Sequence, residues 1–135
     1  MIEKFDVSLR IMGKDIHPDK ISKELDLIPD ISYGKGDTHI IYSGGVPTKR
    51  VWDKDMWSKT FYTGELGFEE SLEKIMQHIR SNKECFVKYR ELGYKMDVFC
   101  GIWYDDKTDK VILPQEIMDA YEELGIIIDL DEYWL

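Results

Sequence analysis

The side chains able to do chemistry in this 135-residue chain are scattered. His17, His39 and His78 fall in three separate stretches, with neither a His-Glu-x-x-His pair nor clustered Cys/His spacing to make a zinc centre. His17 and His78 are expected in structural or solvent-facing roles, and His39, which shares a region with Asp37, is the one histidine kept as a functional candidate. Cys85 and Cys100 sit among apolar neighbours without a Cys-x-x-Cys motif, which predicts two buried thiols. No Gly-x-Ser-x-Gly elbow is present, and the turn Gly34-Lys35-Gly36-Asp37 lacks the Lys-Ser/Thr ending of a phosphate loop. Its backbone N–H groups could hold an anion, but a tight turn using glycine's tolerance of positive φ is the stronger expectation.

The carboxylates are more numerous. Asp105, Asp106 and Asp109 lack the EF-hand spacing and read as a solvated turn. Asp129, Asp131 and Glu132 lie in an alternating run, and period two puts Asp129 and Asp131 on one side, about 7 Å apart along the strand, with Glu132 on the other. That spacing would suit a pair of acid–base carboxylates, but no facing wall is legible. Neither a metal nor a cofactor is indicated.

The elements that must carry these residues follow from periodicity. Phe5, Val7, Leu9 and Ile11 alternate with Asp6, Ser8, Arg10 and Met12 in a half-buried strand. Pro18 opens a helix with Ile21 and Leu25 inward, closed by Leu27-Ile28-Pro29. After Ile31-Ser32-Tyr33 comes an irregular stretch from Thr38 to Lys54, where His39 to Tyr42 could be a short edge strand and Gly44-Gly45 a hairpin turn. Met56 to Tyr62 is a strand with Trp57, Lys59 and Phe61 on one side.

Phe68, Leu72, Ile75, Met76 and Ile79 form a helical stripe. Ser81 with Glu84 resembles a capping box and predicts a second helix that carries Cys85, Tyr89 and Leu92 inward to Gly93. Tyr94 to Tyr104 is the longest alternating strand. The end reads as strand (Val111 to Leu113), Pro-led helix (Ile117, Tyr121, Leu124, stopped by Gly125) and strand (Ile126 to Trp134). Pro18, Ile21 and Leu25 share their offsets with Pro114, Ile117 and Tyr121, which suggests a pseudo-repeat of strand plus Pro-led helix, its two copies side by side. Single-striped helices with alternating strands predict a single α+β domain over residues 1–135: a two-layer sandwich whose mostly antiparallel sheet has five or six strands and helices on one face.

In such a sandwich the other face of the sheet should be polar. Here Phe99 and Trp103 point away from the helices with Asp97, and Tyr133 does so with Asp129 and Asp131. Large aromatics among acids on an uncovered sheet look like a recognition surface; the alternative is cross-strand aromatic packing that covers the sheet, or the Thr38 to Lys54 loop folded over it.

Charge agrees with that placement. The net charge is −9, and Asp105 to Leu135 holds 10 acids and 2 bases, a balance of −8, leaving −1 for the first 104 residues. This argues against a nucleic-acid binder, which needs a basic face; the acids read either as a solvated helix face that keeps the protein soluble or as a docking surface for a basic partner. No apolar run approaches the roughly 20 residues that span a bilayer, and the N-terminus alternates where a signal peptide would be continuously apolar, so a cytoplasmic protein is expected.

The order of these pieces resembles a small bacterial family, domain of unknown function number four-two-seven-nine. The residues that carry the resemblance are Leu9 to Gly13, Glu24-Leu25-Asp26-Leu27-Ile28-Pro29, Lys35-Gly36-Asp37, Trp57-Ser58, Leu92-Gly93-Tyr94 with the strand through Trp103, and Leu124-Gly125 followed by Asp129-Leu130-Asp131. Where the family carries a basic, Arg- and Pro-rich segment, this chain has Gly44-Gly45-Val46-Pro47-Thr48-Lys49-Arg50. The resemblance implies a fold and a bacterial or phage setting, and no activity.

The leading expectation is therefore a non-enzymatic interaction domain, of which an immunity-type inhibitor of a basic toxin nuclease is one version. It would bind a protein partner through Phe99, Trp103, Tyr133, Asp129 and Asp131, with Trp57 as a further anchor. The alternative is a small-molecule or anion-binding protein, perhaps enzymatic, with its site at Lys35, Gly36, Asp37, Arg50 and Trp57. A homodimer paired through the sheet face is a third.

Overall fold

A strand with one apolar side needs neighbours that continue that side, and the first strand has two. In the computed structural model, which describes residues 2–34, 37–51, 55–64, 67–108 and 110–134, the chain runs β1 (Ile2–Gly13), α1 (Pro18–Leu25), β2 (Ile31–Tyr33), β3 (Thr38–Ser43), β4 (Val46–Val51), β5 (Asp55–Gly64), α2 (Phe68–Ser81), α3 (Lys83–Glu91), β6 (Lys95–Tyr104), α4 (Gln115–Glu123) and β7 (Ile126–Trp134). The main sheet has the order β2-β5-β1-β6-β7, and β3 and β4 form a separate hairpin. Every pair in the main sheet is antiparallel except β6 with β7. The result is an α+β sandwich with a mixed five-stranded sheet and helices packed on it.

Register fixes the two faces. Val7 pairs with Cys100, Leu9 with Val98 and Ile11 with both Met96 and Trp57. On β7, Ile126, Ile128 and Leu130 fall opposite Met96, Val98 and Cys100. This side meets Ile21 and Leu25 of α1, the stripe of α2, Phe86 and Tyr89 of α3, and Ile117 and Tyr121 of α4 in one core. Tyr121 Oη donates to the carbonyl of Leu72 at 2.6 Å, tying α4 to α2. A slip in register between Val7 and Ser8 leaves Phe61 as an extra residue, and its ring lies 5.5 Å from that of His78 on α2.

Several expectations change. Val111 to Leu113 pairs with no described strand; the Val111 amide donates instead to Tyr104 Oη at 3.0 Å. The strand before α4 is β6, and because β6 and β7 are parallel the chain must cross over through α4 to return in the same direction. Pro18 starts α1, but Pro114 stands just before α4 with an extended ψ of 139°, and β6 separates β1 from β7, so the two Pro-led units are not side by side. Ser81 is the last residue of α2, its hydroxyl bonded back to the Gln77 carbonyl, and the chain restarts at Asn82 without a side-chain cap. On α3 the inward residues are Phe86 and Tyr89; Cys85 is half-buried and Leu92 is exposed. Gly44 and Gly45, with φ of 60° and 81°, make the two-residue turn that joins β3 to β4.

Candidate functional site

The side of the sheet away from the helices is assembled rung by rung. Lys4 pairs with Trp103 and Trp103 with Tyr133; Asp6 with Gly101 and Gly101 with Asp131; Ser8 with Thr60 and Phe99, and Phe99 with Asp129. The next rung carries Ile31, Ser58, Arg10, Asp97 and Ile127. Small residues at Ser8, Ser58, Thr60 and Gly101 leave the surface low between the aromatics of β6 and β7 and the aliphatics Ile31 and Met56. The outcome is a groove of about 520 Å³ lined from β1, β2, β5, β6 and β7.

The groove's walls are held by charge. Arg10 reaches across to Asp97, with Nε to Oδ1 at 2.8 Å and Nη2 to Oδ2 at 2.6 Å, a bidentate geometry that a lysine could not make. Its Nη2 is also 3.6 Å from Asp129 Oδ2, and its guanidinium carbon lies 4.5 Å from the centre of the Phe99 ring. The hydrogen bond to Asp97 raises the pKa of Arg10 above its ordinary value. Lys4 Nζ sits 4.7 Å from the centre of the Trp103 ring on the same face. Trp103 and Tyr133 stack across the parallel ladder, centroids 5.3 Å apart and planes within 16°. Tyr133 Oη donates to Asp131 Oδ2 at 2.6 Å, a bond that raises the phenol's pKa. The indole leans over Gly101, where a Cβ would lie 3.1 Å from its ring.

Thus Phe99, Trp103, Tyr133, Asp129 and Asp131 lie together on one face, with Trp103 half-buried and Tyr133 exposed. Trp57 is elsewhere. It is fully buried on the helix side, its Nε1 donating to Ser22 Oγ on α1 at 3.0 Å, so it anchors a helix and does not reach a surface. Asp37 closes its own turn: its Oδ2 accepts from the Gly34 amide at 2.7 Å, which occupies an N–H that an anion would need. Lys35, Gly36 and the side chains of Arg50 and His39 lie outside the described residues. Asp106 accepts from both the amide and the hydroxyl of Thr108, bonds that lower its pKa and close the turn; Asp109 lies outside the described residues. Glu132 is on the helix side, where it accepts from Tyr104 Oη at 2.7 Å. Burial pushes the Cys100 thiol up to about 12, which keeps it protonated at neutral pH. His17 is exposed at the start of α1, and His78 is half-buried with Nε2 unbonded among the described residues.

Residues that the sequence did not single out complete the groove: Arg10, Ser8, Ser58, Thr60, Gly101, Ile31 and Met56, with Lys4 over the Trp103 ring beside it. Period two places Ser8 and Arg10 on the outer side of β1, but only the register brings Arg10 to Asp97, 87 positions away. Among the described residues no group of three His, Cys, Asp or Glu side chains is placed to hold a metal. Stacking faces, carboxylates and hydroxyls are what the surface presents, and those are means of recognition.

The match to known families covers nearly the same span. A family model described as a domain of unknown function (DUF4279) matches residues 3–135. The chain belongs to the DUF4279 family. Neither a curated protein nor a solved structure matches it. In this DUF4279 domain no helix among the described residues is long and apolar enough to cross a membrane.

Proposed function

We propose that this DUF4279 chain is a small acidic interaction domain of the bacterial cytoplasm that binds a basic protein partner through the open face of its sheet. The observation that supports this is the groove in which Phe99, Trp103 and Tyr133 stand beside Asp6 and Asp131, with Asp129 paired to Phe99 at its border. Contacts already made by Arg10, Lys4 and Asp131 hold the three rings, so docking on them costs little side-chain entropy. Tyr and Trp on a grooved surface are the residue types that dominate binding energies. An immunity-type inhibitor seated on the basic active site of a toxin nuclease is the specific form that acidity favours.

The test is affinity capture of the partner followed by titration with the wild-type chain and with Phe99→Ala and Trp103→Ala. Loss of a stacked aromatic anchor weakens binding by about 2 kcal/mol, roughly thirtyfold. Circular dichroism confirms that each variant keeps its fold. Unchanged affinity in both variants removes the face from the interaction.

A further inference from the structure

The two ends of the sheet are finished differently. At one end β5 is covered by β2, and where β2 stops the carboxylate of Asp30 takes over, accepting from the Thr60 amide at 2.5 Å. At the other end is β7, nine residues long, and among the described residues no strand pairs with its outer edge. Natural edge strands are shortened, bulged, charged or interrupted by proline to stop unwanted pairing. β7 has no proline and its ladder to β6 runs without a shift from Ile126 to Trp134; what guards it is charge of one sign, Asp129 and Asp131 on the open face and Glu132 on the helix side.

The side chains along this edge form a pattern. On the helix side Ile128 and Leu130 are half-buried, apolar surface that the sheet leaves uncovered because no further strand continues it. Beside them Met118, Glu122, Ile126 and Ile127 help to line a recess of about 330 Å³, mostly apolar in its side chains. On the open face Asp129 and Asp131 follow each other at strand spacing, about 7 Å apart. From Val111 to Leu135 the chain has seven acids and no lysine or arginine.

We propose that the outer edge of β7 takes an extended segment of a partner protein in which lysine or arginine alternates with aliphatic residues, adding it to the sheet as a further strand. Backbone N–H and C=O groups of the edge supply the pairing. The aliphatic side chains of the incoming strand continue the row of Ile128 and Leu130, and its cations fall beside Asp129 and Asp131. The same acids select against a second copy of this chain, since antiparallel self-pairing about Leu130 sets Asp129 of each copy against Asp131 of the other. The edge borders the groove of Phe99 and Trp103 and shares Asp129 and Asp131 with it, but strand pairing needs no contact with the rings, so the two readings can be tested apart.

The test uses the full chain and a dye-labelled, end-blocked peptide of alternating valine and lysine as long as β7, with binding followed by anisotropy. Binding is expected, and loss of about tenfold or more in affinity is expected when glutamate replaces lysine in the peptide or when Asp129→Asn and Asp131→Asn are combined in the protein. In a strand, successive N–H groups point to opposite edges, so methylating the amides of every lysine or of every valine blocks one edge of the peptide at a time. Because the peptide can lie parallel or antiparallel to β7, each of these peptides keeps one usable direction, whereas methylation of every amide blocks both; the fully methylated peptide should lose binding, and unchanged binding by it overturns strand addition. Ile31→Ser, a change in the groove on β2 at the far end of the sheet, should leave the peptide's affinity within about threefold. No binding at millimolar peptide, or sedimentation showing that the edge is filled by a second copy, overturns the proposal while leaving the groove reading untouched.

Discussion

The guanidinium of Arg10 is the centre of the open face, and its contribution can be measured. Its two hydrogen bonds to Asp97, at 2.8 and 2.6 Å, are charge-assisted, and the side chains are 26% and 13% exposed. A hydrogen bond to a charged group contributes about 1.5–3 kcal/mol when desolvated, and exposed ion pairs about 0–1 kcal/mol. A bidentate pair open to solvent on one side should therefore show a coupling of about 1–2 kcal/mol. Arg10→Met also removes the cation over Phe99, about 0.5–1 kcal/mol more. We expect Arg10→Met to destabilise by about 2 kcal/mol, Asp97→Asn by somewhat less, and the double variant by less than the sum, the shortfall being the coupling. In urea unfolding, with a slope of about 1–3 kcal/mol per molar, the Arg10→Met midpoint should fall by about 1 M. The near-UV dichroism of the native state should change as well, since Phe99 loses the group stacked on it. A coupling below about 0.5 kcal/mol would refute the view that this ion pair fixes the face, because it would equal an ordinary exposed pair.

Three other expectations test separate parts of the structure. Burial holds the Cys100 thiol, ordinarily near 9, and the Tyr104 phenol, ordinarily near 10, up to about 12, the latter also through its bond to Glu132; burial raises Tyr89 and Tyr121 too. Each group's contribution is fully present below its unfolded pKa and lost as pH rises towards the folded value, about 1.4 kcal/mol per pH unit per group, so urea midpoints should fall steeply above pH 9 and a flat alkaline profile would contradict this. Gly101→Ala puts a Cβ 3.1 Å from the Trp103 ring, which must tilt by a few tenths of an ångström; partner affinity should drop about tenfold with stability changed by less than about 1 kcal/mol, and an unaltered indole signal in near-UV dichroism would be the contrary result. Trp57→Phe should cost about 1–2 kcal/mol in unfolding experiments through lost volume and the lost bond to Ser22, yet leave partner binding unchanged; a binding defect in the folded variant would return Trp57 to the site.

What the sequence made legible is what depends on a single element. Phe5, Val7, Leu9 and Ile11 could be assigned to one face because a strand buried on one side must alternate, and the stripe from Phe68 to Ile79 because a helix with one buried face must repeat at its own period. The same rule grouped Phe99 with Trp103 and Asp129 with Asp131 and Tyr133. What escaped depends on two elements meeting. That Phe86 rather than Leu92 turns inward follows from where α3 lies against the rest of the core. Val111 to Leu113 has the apolar content of a strand, but a strand exists only where a partner offers a ladder, and the Val111 amide is taken by Tyr104. Trp57 carries no mark that separates a surface anchor from a core residue until Ser22 is placed beside it. Arg10 was one polar residue among several on β1 until register set Asp97 opposite.

The parallel crossover also explains why the acids stand where they do. By returning through α4, the chain lays β7 beside β6 in the same direction, so Trp103 meets Tyr133 and Phe99 meets Asp129 on one face. Asp129 and Asp131 thereby stand at the border between groove and edge, with Arg10 drawing one of them inward at 3.6 Å and Tyr133 engaging the other. A basic strand on the edge and a cationic or aromatic loop in the groove would then share these two carboxylates, and a partner engaging both surfaces would gain through linkage without any new contact. Substitutions separate the contributions: Phe99→Ala acts on the groove alone, backbone methylation of an edge peptide on the edge alone, and Asp129→Asn with Asp131→Asn on both. For a partner that spans the border, the carboxylate variant should therefore cost more than it does for either half presented separately, and equal losses would mean that only one surface is in use.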